Sequence, residues 1–240
     1  MYGWRGRIGL IFPSRGDTFV YEFYKMLPEG FIATPAINRV RAMVPEHLGA
    51  AFDAYLECAE DLAPEVDVII ATGTPVFTLV GSEREAELLA EIRRRVPVPF
   101  IVGARAEAEA LTHLGIRRLV IATPFEEEIT QRERRFLESQ GFEVLSARGL
   151  GIRRNVDIGL VANEASYRLA RELLAAHLEA DGVFIPCPRW PVSVNLEALE
   201  RDTGKPAVGS VQALLWKALR TLGYRQPILG YGRLMASLAD

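Results

Sequence analysis

Short apolar runs alternate along this chain with longer amphipathic stretches. Residues 7–12 (RIGLIF) predict a strand, and Asp17 through Met26 predict a helix. FIATPAI at 31–37 predicts a second strand. Residues 46–62 predict a helix with an apolar stripe at Leu48, Phe52, Leu56 and Ala59. VDVIIATG at 66–73 lacks polar alternation, the pattern of a parallel strand covered on both faces. A helix then starts at Ser82, with acids near its beginning and arginines at its end, matching the helix dipole. VPFIVGA at 98–104 predicts a strand, and ARAEAEALTHLG predicts a helix that Gly115 stops.

The same order of elements then recurs. RRLVIATPF at 117–125 echoes RIGLIFPS, each a strand ending in proline. ADGVFIPCP at 180–188 echoes VDVIIATGTP. GKPAVGSVQALLWKALRTLGYR echoes VPFIVGARAEAEALTHLGIR, with Val-Gly-Ala or Val-Gly-Ser leading into a helix that closes on Leu-Gly. The expected fold is α/β: two similar parallel-sheet halves related by a pseudo-twofold, with a cleft between them. The halves are residues 1–100 and 101–212, with 213–240 returning to the first. In open parallel sheets, sites gather beyond the carboxyl ends of the strands. That places Gly73 and Cys187 at equivalent strand ends, and pairs Pro13-Ser14 with Pro124-Phe125.

Composition narrows the function classes. The 240 residues are 49% apolar, enough to bury a core, and the net charge is −3. No basic excess points to nucleic acid or an anionic membrane surface. No stretch approaches the roughly 20 apolar residues of a membrane span, and the N-terminal run lacks a signal-cleavage pattern. The two cysteines, Cys58 and Cys187, lie far apart, which suits a reducing cytoplasm and gives no disulfide framework. Three scattered histidines without C-x-x-C or H-x-x-x-H give no zinc pattern. There is no glycine-rich nucleotide loop after any strand.

GLIFPS, GTPVF, IPCP and the ending GYGRL, in this order over nearly the whole chain, resemble the aspartate/glutamate racemase superfamily. The closer resemblance is to its maleate cis-trans isomerase and arylmalonate decarboxylase branch. The resemblance implies two α/β domains and a small carboxylic acid as substrate. Racemases and isomerases of the superfamily use one cysteine from each half. Here the second position is Cys187 and the first is Gly73, as in the decarboxylases. It therefore implies loss of carbon dioxide to an enediolate, then protonation by a single cysteine, with no cofactor because the substrate itself takes the electrons. Isomerisation or racemisation, and binding without catalysis, remain alternatives.

The neighbouring residues depart from the decarboxylase pattern. Thr74 is retained, but Pro75 and Pro188 carry no N–H to donate to an oxyanion, and Phe125 stands at a tyrosine position. Gly16 replaces an asparagine of the isomerases. Arg15, Arg189 and Asn38 are candidates to bind a carboxylate instead, because arginine grips carboxylates with two parallel bonds. With Pro13 and Ser14 they complete the candidate site. Cys58 and the histidines His47, His113 and His177, read as helical, receive no chemistry. Trp190 and Phe77 are read as pocket wall or core, and Asp17 as a helix cap. Oligomeric state is left open.

Overall fold

A computed structural model of the chain describes residues 2–13, 16–38, 48–73 and 82–239; the side chains of 48–51 and 82–84 are left aside. In chain order the elements are β1 (Gly6–Phe12), α1 (Asp17–Met26), β2 (Phe31–Ile37), α2 (Leu48–Leu62), β3 (Val68–Ala71), α3 (Ser82–Arg95), β4 (Phe100–Val102) and α4 (Gly103–His113). The second series runs β5 (Arg118–Phe125), α5 (Glu127–Ser139), β6 (Glu143–Ile152), α6 (Asn155–Ile158), α7 (Glu164–Ala176), β7 (Gly182–Ile185), α8 (Leu196–Thr203), β8 (Ala207–Gly209) and α9 (Ser210–Thr221). The short α10 (Gly232–Ala236) follows.

Two four-stranded parallel sheets form, ordered β2-β1-β3-β4 and β6-β5-β7-β8. The order is the same in both, as the recurring sequence predicts, and the α/β class is established. β3 and β7 are buried at every residue. Their uninterrupted apolar runs reflect helices packed on both faces. In the first sheet Ile11, Ile69 and Ala71 meet Phe52, Tyr55, Leu56 and Ala59 of α2 and Leu88 and Ile92 of α3. In the second, Val120, Val183 and Ile185 meet Leu169, Ala170 and Leu173 of α7, with Trp190 and Leu196.

By its contacts the chain groups into two units. One holds Met1–Gly16, Leu27–Ala106 and Lys217–Tyr224; the other holds Asp17–Met26, Glu107–Trp216 and Arg225–Asp240. In this grouping α1 goes with the second sheet, and only Lys217–Tyr224 of the C-terminal segment goes with the first, where the sequence reading placed 213–240 as a block. Hydrogen bonds that spacing does not show tie the last residues into the second unit. The Tyr231 hydroxyl donates to the Lys25 carbonyl at 2.9 Å, and the Arg233 N–H donates to Glu200 at 2.8 Å.

His177 is the residue after α7 rather than inside a helix, and its ring lies 3.4 Å from Glu179. His47 lies outside the described residues. Among the described residues, no helix is long and apolar enough to cross a membrane.

Candidate active site

In the first unit, candidate residues gather at the ends of β1 and β3. The Thr72 N–H and hydroxyl both donate to the Ile11 carbonyl, at 3.0 and 3.1 Å. The Asn38 N–H donates to Phe12 at 3.0 Å. These bonds bring three expected residues, Pro13, Asn38 and Gly73, to one place. Gly73 has a φ of 92°, a left-handed conformation that glycine adopts without steric cost.

A Cβ on Gly73 would collide with the hydroxyl of Tyr55 and lie 3.1 Å from Cγ of Pro13. That hydroxyl donates to the Thr72 carbonyl and is hydrogen-bonded by the Asn38 side chain. Burial pushes the Tyr55 phenol well above its usual range, so it stays a neutral donor. Asn38 is therefore engaged with a buried tyrosine. Sequence reasoning missed Tyr55, because a tyrosine in an amphipathic helix reads as core. Ser14, Arg15, Thr74 and Phe77 lie outside the described residues.

In the second unit, candidate residues gather at the end of β7. Cys187 sits two residues beyond the strand, as Gly73 sits two beyond β3. Its φ is 96°, and it is the only non-glycine residue with a positive φ among those described. The left-handed conformation costs a cysteine on the order of 1 kcal/mol or more. Surrounding bonds hold it there. The Cys187 N–H donates to the Ser210 hydroxyl at 3.1 Å, at the start of α9. The Trp190 N–H donates to the Cys187 carbonyl at 3.1 Å, closing the turn. Glu22 of α1 accepts from the N–H groups of Val192 and Ser193 at 2.8 and 2.9 Å, fixing the rest of the loop.

Cys187 is 7% exposed. Desolvation pushes the thiol up to about 12, and the Glu133 carboxylate pushes the same way. The N–H groups of Arg189 and Trp190 and the Arg189 charge pull it partly back. Pro188 donates nothing, as expected, but the next two N–H groups reach the sulfur. Cys187 is thus a protonated thiol across the neutral range.

The Arg189 side chain is only 11% exposed and pairs with Asp17 at 3.4 Å. It passes beside Gly159, where a Cβ would lie 3.6 Å from the guanidinium. Asp17 opens α1 and accepts from the Thr18 N–H at 3.0 Å, so it serves both the helix start and the arginine. Phe125 ends β5 and packs against the apolar cluster that contains Cys187 and Trp190. Trp190 is fully buried and belongs to the core rather than to an open pocket wall. Among the described residues, no three His, Cys, Asp or Glu side chains gather as a metal site requires.

A lone thiol beyond β7, a glycine at the matching end of β3 and the repeated sheet order accompany a family match over most of the chain. The arylmalonate decarboxylase family model matches residues 8–235. The chain belongs to the arylmalonate decarboxylase family.

Its relatives carry two names. It is 27% identical over 241 residues to the maleate isomerase of Nocardia farcinica, covering 95% of each chain. It is 25% identical over 232 residues to the arylmalonate decarboxylase of Bordetella bronchiseptica, again covering 95% of each. Among solved structures, a cysteine-to-serine mutant of the Nocardia maleate cis-trans isomerase, with a covalently bound succinylcysteine intermediate, has the same fold. The TM-score is 0.84 at 24% identity, covering 96% of this chain and 98% of that one.

Proposed function

We propose that this family member decarboxylates a malonate-type acid and protonates the resulting enediolate from Cys187. The carbon–carbon bond to one carboxylate breaks, carbon dioxide leaves, and the bonding electrons spread over the remaining carboxylate. The Cys187 S–H then gives its proton to the α-carbon, leaving a thiolate that solvent reprotonates. Arg189 serves as the carboxylate partner, since it keeps its charge and lies beside the thiol's own loop. Gly73, Thr74, Pro13, Ser14, Arg15, Phe125, Pro188 and Asn38 are assigned to substrate binding.

The observation that carries this reading is the Tyr55 hydroxyl, which fills the space of any side chain at position 73. A second thiol has no room there, and one acid can deliver a proton to one face only. A thiol held protonated by burial also suits an acid better than a nucleophile.

The test is incubation with a panel of substituted malonates while carbon dioxide is followed. Turnover that disappears in Cys187→Ala supports the reading; turnover that survives it overturns it. The alternative is cis-trans isomerisation of a dicarboxylate, favoured by the relatives that bear the name maleate isomerase. Conversion of maleate to fumarate without carbon dioxide release would establish that reaction instead.

A further inference from the structure

Four glutamates are buried or strongly desolvated in the second unit, and two of them have plain structural work. Glu22 accepts the two N–H groups of the Val192–Ser193 turn. Glu200 accepts from the N–H groups of Ala207 and Arg233, at 2.9 and 2.8 Å. Glu107 and Glu133 differ. Glu107 of α4 is 7% exposed, and its carboxyl is bonded by the Ser210 side chain. That hydroxyl also accepts the Cys187 N–H at 3.1 Å, so its one proton is directed to Glu107. A continuous chain thus runs from Glu107 through Ser210 to the strained backbone of Cys187. Glu133 of α5 is partly buried, and its charge acts on both the Glu107 carboxyl and the Cys187 thiol.

We propose that Glu107 and Glu133 are positioning residues for Cys187: Glu107 holds its backbone through Ser210, and the Glu133 charge, coupled to that of Glu107, sets how firmly the thiol holds its proton. The inference rests on Cys187 being the proton donor. Two carboxylates in one desolvated site resist ionising together, so the pair titrates as a unit. Burial pushes Glu107 up to about 8, with repulsion from Glu133 adding to it, and burial pushes Glu133 up to about 7. The pair therefore charges between pH 7 and 8, within the range where enzymes work. The other charges around the thiol are Arg189 on its own loop, whose partner is Asp17 of α1, while α9 contributes only the Ser210 hydroxyl. Below pH 7 the neutral pair leaves the thiol to burial and Arg189. Above pH 8 the negative pair opposes thiolate formation and favours the S–H acid.

The test needs no substrate. Alkylation of Cys187 by iodoacetamide is followed by mass spectrometry from pH 6 to 9 in a Cys58→Ala background. The parent's logarithmic rate should rise with unit slope, flatten between pH 7 and 8, and then resume. Glu133→Gln should remove the flattening and raise the rate at pH 8.5 about tenfold, the change that a one-unit fall of the thiol produces. Glu107→Gln relieves the repulsion, so its flattening should move to lower pH. Glu133→Asp keeps the charge and should retain the slow rate, which separates electrostatics from damaged packing. Straight, coincident profiles in all four proteins, or no alkylation in any, overturn the proposal. A bent parent profile without decarboxylation of any malonate would sink the proposed reaction alone. A straight parent profile in an active decarboxylase would sink this inference alone.

Discussion

The hydroxyl of Tyr55 stands where a Cβ on Gly73 would be, and Asn38 and the Thr72 carbonyl hold it there. Two separate obstacles therefore oppose any side chain at 73: the clash and the left-handed backbone. Gly73→Ala should cost about 2–4 kcal/mol in urea unfolding. Tyr55→Phe removes the obstructing atom and should cost about 1–2 kcal/mol through its lost hydrogen bonds. The double variant should cost less than the sum, and strictly additive values would show that the tyrosine does not fill the space. Gly73→Cys alone should confer neither racemisation nor isomerisation.

Cys187 mirrors Gly73 in backbone conformation but carries a side chain. Replacing it by glycine relieves the left-handed strain while removing a small buried group. Cys187→Gly should therefore be at least as stable as Cys187→Ala, a reversal of the order of up to 1 kcal/mol seen at ordinary positions. Both should lack activity. Denaturation midpoints compared under one condition check the order.

Folding stability should fall with rising pH through the neutral range. The Glu107 carboxyl is raised to about 8 from the 4.5 of a free glutamate. Between those values the folded chain holds a proton that the unfolded chain has released. The contribution is fully favourable below about pH 4.5 and is lost as pH rises toward 8. Glu107→Gln should flatten this dependence. It should match the parent near pH 4.5 and exceed it by roughly a few kcal/mol at pH 8. Thermal melts across that interval measure it.

Arg189 is largely buried and pairs with Asp17 at 3.4 Å. Arg189→Lys preserves charge and loses the planar fork. On any malonate that turns over, the substitution should raise KM about tenfold with a smaller change in kcat. An unchanged KM would remove Arg189 from carboxylate binding.

The sequence by itself determined the α/β class, the repeat and the position of Cys187. Those depend on local signals: apolar runs long enough for a buried strand, and strand-end loops where proline, glycine and cysteine interrupt the pattern. α1 and the first strands fell where the periodicity put them, and Cys187 fell just past β7. Only the tertiary structure decided what surrounds those loops. Tyr55 lies 18 residues before Gly73 in the chain, and Glu107 lies 80 before Cys187. A tyrosine on a helix stripe and a glutamate in an alanine-rich helix carry no mark of their neighbours. Their roles arise because folding sets helix residues, distant in sequence, beside the loops at the strand ends. There a hydroxyl can occupy a missing side chain's place, and burial can turn two ordinary carboxyls into a pair that titrates near neutral pH.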